Sequence, residues 1–536
     1  MAFELLLGDE AVALGAIHAG IAGAFSYPGT PATEIFETVE ARAPDVFAKW
    51  STNEKVAYEE ALGMSYAGRR ALISMKHVGL NVASDPFMSS ALTGVNGGVV
   101  LAVGDDPGMH SSQNEQDSRF YADFARIPCF EPATPQECFD LTRTAFELSE
   151  KMDVPVMIRL VTRLAHCRAT VTLPEEPAEI FSRPEPAGDQ SHWTLIPVNA
   201  RKRFRRLIGI QEELARISEE SPWNELVIRG KRGILCTGVA KNYVHEALGE
   251  DVEDSLLTIG FFPPPVDLIR KLVDHCTEIL VFEDGYPILE QKLRGLLGLP
   301  NITIRGRMDN LIAPDGELTP ETVAAALGRP FISGFEADEI ASVRPPQLCK
   351  GCPHSDSFLA LVDAVVDFPN AMLFSDIGCY SLGVMSPYKA VHTCVEMGAS
   401  IGMAHGASRA GGYPVLCTIG EGTFAHSGFA PLLGAVQTNA DITVLILDNS
   451  TVAMTGTQES MATGDDLIQL LKGLGVEHLH TFEPHRKNHE SSVALIKEAI
   501  AHKGLSVLVA QRACIHWKSH APVAATPLCQ AKETLS

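Results

Sequence analysis

A short apolar or β-branched run that ends in a loop of glycine, aspartate or asparagine recurs along this chain and limits its fold more than any other feature. Examples are GGVVLAVGDDPG (97–108), RGILCTGVA (232–240), TEILVFEDG (277–285), NAMLFSDIGC (370–379), YPVLCTIGEG (413–422) and ITVLILDNS (442–450). Stretches of helical composition lie between them, among them 8–22 and 53–68. Continuous apolar strands alternating with helices predict parallel sheets covered on both faces. The fold class is therefore α/β, with doubly wound parallel sheets. At roughly 150 residues per domain, 536 residues predict three to four domains. A proline-rich stretch of little periodicity predicts a linker over 176–204, and SVRPPQLCKGCP (342–353) marks a second break. The resulting domains are 1–175, 205–340 and 345–520, followed by a tail over 521–536.

Hydrophobic residues at 46% with charged residues at 20% exclude a disordered chain. A net charge of −23 repels nucleic acid and anionic lipid. No apolar run has the 18 or so residues of a membrane span, and the first residues lack the basic start of a signal peptide. A cytoplasmic protein is expected. Its 12 cysteines then point to buried thiols, metal ligands or catalysis rather than disulfides. RKRFRR (201–206), the one basic run, reads as the solvated start of a helix.

The segment GEGTFAHSG (420–428) ends a strand in Gly420-Glu421-Gly422. Glycines there let the backbone approach a phosphate, and the following helix offers free N–H groups and its dipole. Asn449 follows Glu421 by 28 residues, and Thr451 lies two further on. This spacing matches the thiamine-diphosphate motif, in which a Gly-Asp-Gly turn, an asparagine and a backbone carbonyl hold Mg²⁺. Glu421 stands where that motif has aspartate, and its extra methylene lengthens the reach. Four other residues have cluster spacing: Cys349 and Cys352 in a CxxC, Cys379 at a strand end, and Cys514 at another. Four thiolates suit zinc or an iron–sulfur cluster, and the wide spacing is unlike a zinc ribbon. Cys129, Cys138, Cys167, Cys236, Cys276, Cys394, Cys417 and Cys529 lack such company, and several read as inert buried thiols.

SYPGTPATE (26–34), NEKVAYEEALG (53–63), SMKHVGLNVASDP (74–86), DDPGMHSSQNEQDSR (105–119), LCKGCPH (348–354), SDIGCYSLG (375–383), GEGTFAHSG and LDNSTVAMTG (447–456) together resemble the alpha subunits of the indolepyruvate:ferredoxin oxidoreductase family. These are thiamine-diphosphate enzymes of the 2-oxoacid:ferredoxin oxidoreductase superfamily. The resemblance implies a pyrimidine-binding first domain, a transketolase C-terminal-like middle domain and a diphosphate domain. It implies oxidative decarboxylation of an aryl, indolepyruvate-like 2-oxoacid to the acyl-CoA, with coenzyme A as co-substrate. Electrons would leave through a [4Fe–4S] cluster on Cys349, Cys352, Cys379 and Cys514 to ferredoxin or another acceptor. A beta subunit, and hence a hetero-oligomer, is expected. The resemblance places Asp376, Gly378, Gly398, Gly420, Glu421, Gly422, Thr423, Asn449, Thr451 and Thr455 at the cofactor, with Glu421, Asn449 and Thr451 as Mg²⁺ ligands. Family members usually continue into a ferredoxin-like domain. Here the sequence ends at HWKSHAPVAATPLCQAKETLS, so the electrons are expected to pass to another subunit or carrier. A non-oxidative decarboxylase or carboligase is the alternative.

Glu54 fits the superfamily's activating glutamate by its spacing to Gly63 and Gly68, with Glu59 and Glu60 on the same helix as fallbacks. Pro31 suits the first turn of a helix and leaves Thr30 at its N-cap or free to hold a substrate carboxylate. Lys76 and His77 follow a strand end and would supply charge and proton traffic. His426 is expected on the thiazolium side, and His354 as a shield for the cluster. The polar loop 105–119 reads as an active-site cover, with His110 and Arg119 as further candidates.

Overall fold

Strands read from unbroken apolar runs are buried along their whole length, as in Ala71–Lys76, Val99–Asp105 and Val156–Val161. Burial on both faces is what a parallel sheet sandwiched by helices requires. The computed structural model describes residues 2–174, 176–183, 193–249, 252–331 and 346–517. Cys529, the expected tail and part of the expected linker lie outside them. The chain divides into two units, 1–341 and 342–536.

The first unit holds two large sheets. One has seven strands in the order 261–262, 129–130, 156–161, 99–105, 71–76, 23–26, 47–50. All are parallel except Phe261–Phe262, which pairs antiparallel with Cys129–Phe130. The other has five strands in the order 303–305, 278–282, 232–237, 255–259, 224–227, with only Asn224–Val227 antiparallel. Phe261–Phe262 follows a strand of the five-stranded sheet yet completes the seven-stranded one.

Buried charges tie the two sheets together. Arg119 donates to Asp117, Glu131, Thr237, Glu283 and the Tyr286 carbonyl. Arg159 donates to Asp105, Glu131 and the Asp284 carbonyl. Burial pushes Asp117 up, but the two guanidiniums outweigh it and hold the carboxyl at about 2. Arg119 is thus consumed by structure, which removes it as a catalytic candidate. Elsewhere in this unit Asp9 is fully buried, and neither carboxylate oxygen has a hydrogen-bond partner. Burial, then the charges of Glu34 and Glu10, raises it well above the ordinary range.

A helix over Pro197–Gly209 begins inside the stretch read as linker and carries the basic run. Arg201, Lys202 and Arg205 are exposed as expected, but Arg203 is buried. Arg206 donates to the Met152 and Asp153 carbonyls at 3.2 and 2.7 Å, satisfying the free end of helix Pro135–Met152.

The second unit has one five-stranded, fully parallel sheet in the order 372–374, 415–420, 443–448, 506–511, 478–482. Among the described residues no helix is long and apolar enough to cross a membrane.

Candidate active site

In open parallel sheets ligands collect at the carboxyl ends of the strands, and the expected site residues sit there in each unit. In the first unit Glu54 opens helix Glu54–Tyr66, four residues beyond Trp50, the last residue of its strand. The Asn53 side chain caps this helix, accepting from Val56 N at 2.9 Å. Glu54 is buried because Gly79 makes room for it: a Cβ at Gly79 would stand 2.6 Å from Glu54 Oε1. The fallback carboxylates are otherwise engaged. Glu60 accepts from Lys49 and Ser51 at 2.7 and 2.6 Å, and exposed Glu59 pairs with Lys55.

Lys76 ends its strand, and its Nζ donates to the Ser111 carbonyl at 3.1 Å and to Ser111 Oγ at 3.2 Å. Burial lowers this amine to about 8 although Asp106 opposes the shift. His77 is buried, with Nε2 3.2 Å from the Asn114 carbonyl. The loop 105–119 therefore folds over both residues, and Asp106 braces it by accepting from Ser111 N, Ser112 and Thr162. His110 stands apart, exposed and 3.3 Å from Glu317. Thr30 is not a cap. The helix begins at Thr33 with Ala32 at the N-cap, and Thr33 Oγ1 accepts from Gly29 N at 3.1 Å.

In the second unit one terminal atom of the Asn449 amide lies 3.0 and 3.2 Å from the Glu421 oxygens and 2.8 Å from the Thr451 carbonyl oxygen. The other amide terminus is 3.3 Å from His354 Nε2. Burial, then the charge of Asp448, raises Glu421 to about 8. With the amide oxygen turned inward, three hard oxygen donors converge on one point, where a cation would offset their repulsion. The donor set thus fits Mg²⁺.

Asp376 is buried and raised to about 6 by burial; it accepts from Tyr380 Oη and from Ser400 N. Tyr380 was not anticipated from sequence, yet its ring decides the local shape. A Cβ at Gly378 or Gly420 would meet that ring at 2.3 or 2.7 Å. Gly398 has φ +89° before helix Ala399–Arg409. Gly422 packs near Val452, Thr423 Oγ1 donates to the Ile377 carbonyl at 3.0 Å, and Thr455 Oγ1 donates to Gln458 at 2.7 Å. His426 is buried in a π turn over Phe424–Gly428, with Nδ1 2.5 Å from Ser427 Oγ.

Cys349, Cys352, Cys379 and Cys514 are free thiols close enough to repel one another as thiolates. Cys379 is pushed to about 12 by burial and then by the other three. No three of the four sulfurs lie within 4.8 Å of one another, whereas tetrahedral zinc at about 2.3 Å from sulfur would hold them roughly 3.8 Å apart. The sulfur and oxygen groups meet at Asn449, whose carbonyl accepts from Cys514 N at 2.9 Å. Of two supporting residues, His354 was expected near the cluster, whereas Arg512 escaped the sequence. Buried His354, lowered to about 4 by desolvation, faces the Asn449 amide, and Arg512 pins the CxxC loop through Gly351 O at 2.7 Å.

Residues 14–210 match the family described as "Pyruvate flavodoxin/ferredoxin oxidoreductase, thiamine diP-bdg". Residues 376–510 match "Thiamine pyrophosphate enzyme, C-terminal TPP binding domain". The indolepyruvate oxidoreductase subunit IorA of Archaeoglobus fulgidus is 38% identical over 95% of this chain and 86% of its own. The same subunit of Thermococcus kodakarensis is 38% identical over 96% of this chain and 86% of its own. A 2-oxoglutarate:ferredoxin oxidoreductase from Magnetococcus marinus shares the fold at TM-score 0.51 and 18% identity, covering 61% of this chain and 65% of that one. Likeness along nearly the whole length to these subunits means that the chain belongs to the indolepyruvate oxidoreductase IorA family of thiamine-diphosphate enzymes.

Proposed function

We propose that this chain carries out the coenzyme A-dependent oxidative decarboxylation of an aryl, indolepyruvate-like 2-oxoacid, yielding the acyl-CoA. A [4Fe–4S] cluster, when bound, would supply the route for the electrons to ferredoxin or another acceptor. The observation that carries the reading is Asn449, which faces a magnesium-type oxygen set with its side chain and accepts from a cluster-type cysteine with its backbone. Thiamine diphosphate, when bound, supplies a nucleophilic carbon and an electron sink for the loss of CO₂.

The chain's own residues divide the remaining work. Glu421, Asn449 and the Thr451 carbonyl hold Mg²⁺. Gly420, Gly422 and Thr423 present the turn to the diphosphate, while Asp376, Gly378, Gly398 and Thr455 shape its surroundings. Glu54 holds a proton at the pyrimidine ring nitrogen. Lys76 and the Thr30 hydroxyl bind the substrate carboxylate, the latter relieved of any capping role. His77 and His426 move protons at the reacting carbon. Cys349, Cys352, Cys379 and Cys514 ligate the cluster, and their spread beyond zinc spacing supports that reading. A beta subunit completes a cytoplasmic hetero-oligomer.

An anaerobic panel of 2-oxoacids, with iron and acid-labile sulfide measured on the same preparation, tests the proposal. Aryl 2-oxoacids are expected to give acyl-CoA in proportion to reduced acceptor. Aldehyde as the product, or full oxidoreductase activity from iron-free protein, would overturn it.

A further inference from the structure

The outer strand of the second unit's sheet, His478–Phe482, carries another group of ligating side chains. Among the described residues it pairs only with Ser506–Gln511, which leaves its other edge open there. Side chains two apart on a strand share a face, which places His478 and His480 together. Glu498 joins them from helix His489–Ala501, and one ligating atom from each of the three lies within 4.8 Å of the other two.

Hydrogen bonding fixes the tautomer of His478. Ser506 Oγ is 2.9 Å from His478 Nδ1 and 3.0 Å from the Ala499 carbonyl oxygen. The carbonyl can only accept, so the single hydroxyl proton goes to it. The hydrogen on the other contact must then belong to Nδ1, which leaves Nε2 with its lone pair. That lone pair faces His480 Nε2 across 3.3 Å. Zinc at about 2.0–2.1 Å from each nitrogen in tetrahedral geometry separates two imidazole nitrogens by roughly 3.3–3.4 Å. A histidine whose second nitrogen donates to a fixed partner is also how proteins orient metal ligands. His502 holds the ring from its face, stacked at 4.1 Å with planes 5° apart.

We propose that His478, His480 and Glu498 form a binding site for a borderline divalent cation, Zn²⁺ above all, that clamps the open edge strand to the helix beside it. Two imidazoles and a carboxylate suit zinc and its neighbours rather than Mg²⁺ or Ca²⁺, which take all-oxygen sets. The fourth position is open to water.

The test uses tag-free, full-length protein dialysed against chelator and then equilibrated with zinc. Wild type is expected to take up zinc at micromolar concentration, with nitrogen and oxygen at about 2.0–2.1 Å and no sulfur near 2.3 Å by zinc X-ray absorption. His480→Ala should lose this uptake, and Cys352→Ala should retain it. Ser506→Ala, which removes only the orienting hydroxyl, should weaken zinc binding roughly 10- to 100-fold. Zinc should raise the thermal midpoint of wild type and leave that of His480→Ala unmoved. Sulfur in the zinc shell, wild-type affinity in His480→Ala, or no uptake at micromolar zinc would each overturn the proposal.

Discussion

Lys76 is charged only in part of the working pH range. Burial brings its amine to about 8, so the charge is present below that pH and lost above it. If Lys76 binds the substrate carboxylate, KM for the 2-oxoacid should rise as pH passes about 8, by up to tenfold per unit. Lys76→Arg keeps its charge and should move that rise to much higher pH. Steady-state kinetics from about pH 6 to 10 checks this, and a flat KM excludes the role. Asp9 makes the opposite kind of statement, about stability. Its raised pKa means that the folded state holds the proton more tightly, so this stability is complete below about pH 4 and is lost as pH rises. Asp9→Asn removes the buried anion, and at about pH 8 it should stabilise by roughly 1–3 kcal/mol. The gap to wild type in a thermal melt should close toward about pH 4. Single residues were also where the sequence was least legible. Thr30 suggested a cap because Pro31 suits a first turn, but the helix begins two residues later than that reading needs. The contact of Tyr380 with Gly420 and the role of His354 beside the Asn449 amide have no signal in one dimension, because only the folded sheet brings those partners near.

At the scale of elements the sequence was more readable. Strand ends carry loop-forming residues for steric reasons, so Lys76, Glu421 and Asn449 could be placed from the sequence, whereas Cys379, expected at a strand end, opens a 3-10 turn five residues after its strand stops at Phe374. What stayed hidden was how closely the elements approach. The Gly420 backbone passes the Tyr380 ring with no space for a methyl group. Gly420→Ala should therefore weaken thiamine-diphosphate binding at least about tenfold while overpacking costs roughly 1–3 kcal/mol. Calorimetry with Mg²⁺ and circular dichroism separate the two effects. Arg119 shows the same limit differently. Its loop looked polar enough for a cover, but Asp117 of that loop and two carboxylates that follow strands of different sheets, Glu131 and Glu283, surround it. Arg119→Ala strands those carboxylates in the interior and should destabilise the chain by about 3–5 kcal/mol. Denaturant unfolding measures this, and the iron content of whatever remains folded should be unchanged.

For the molecule as a whole, anaerobic protein should contain about four irons per chain if the cluster proposal holds. Cys514→Ala should abolish the iron yet keep the backbone N–H that Asn449 accepts from. Its thiamine-diphosphate affinity should therefore stay within a few-fold of wild type, so the metal assay and the calorimeter should diverge. The three large sheets follow from the alternation of apolar runs and helical stretches, whereas the crossing of Phe261–Phe262 from one sheet to another does not. That dipeptide acts as a loan between neighbours. An excised first domain would leave Cys129–Phe130 as a sticky border able to recruit any stray extended peptide. Recombination that swapped the middle domain would have to import its own two-residue patch along with the counterpart of Glu283, the acid it contributes to Arg119.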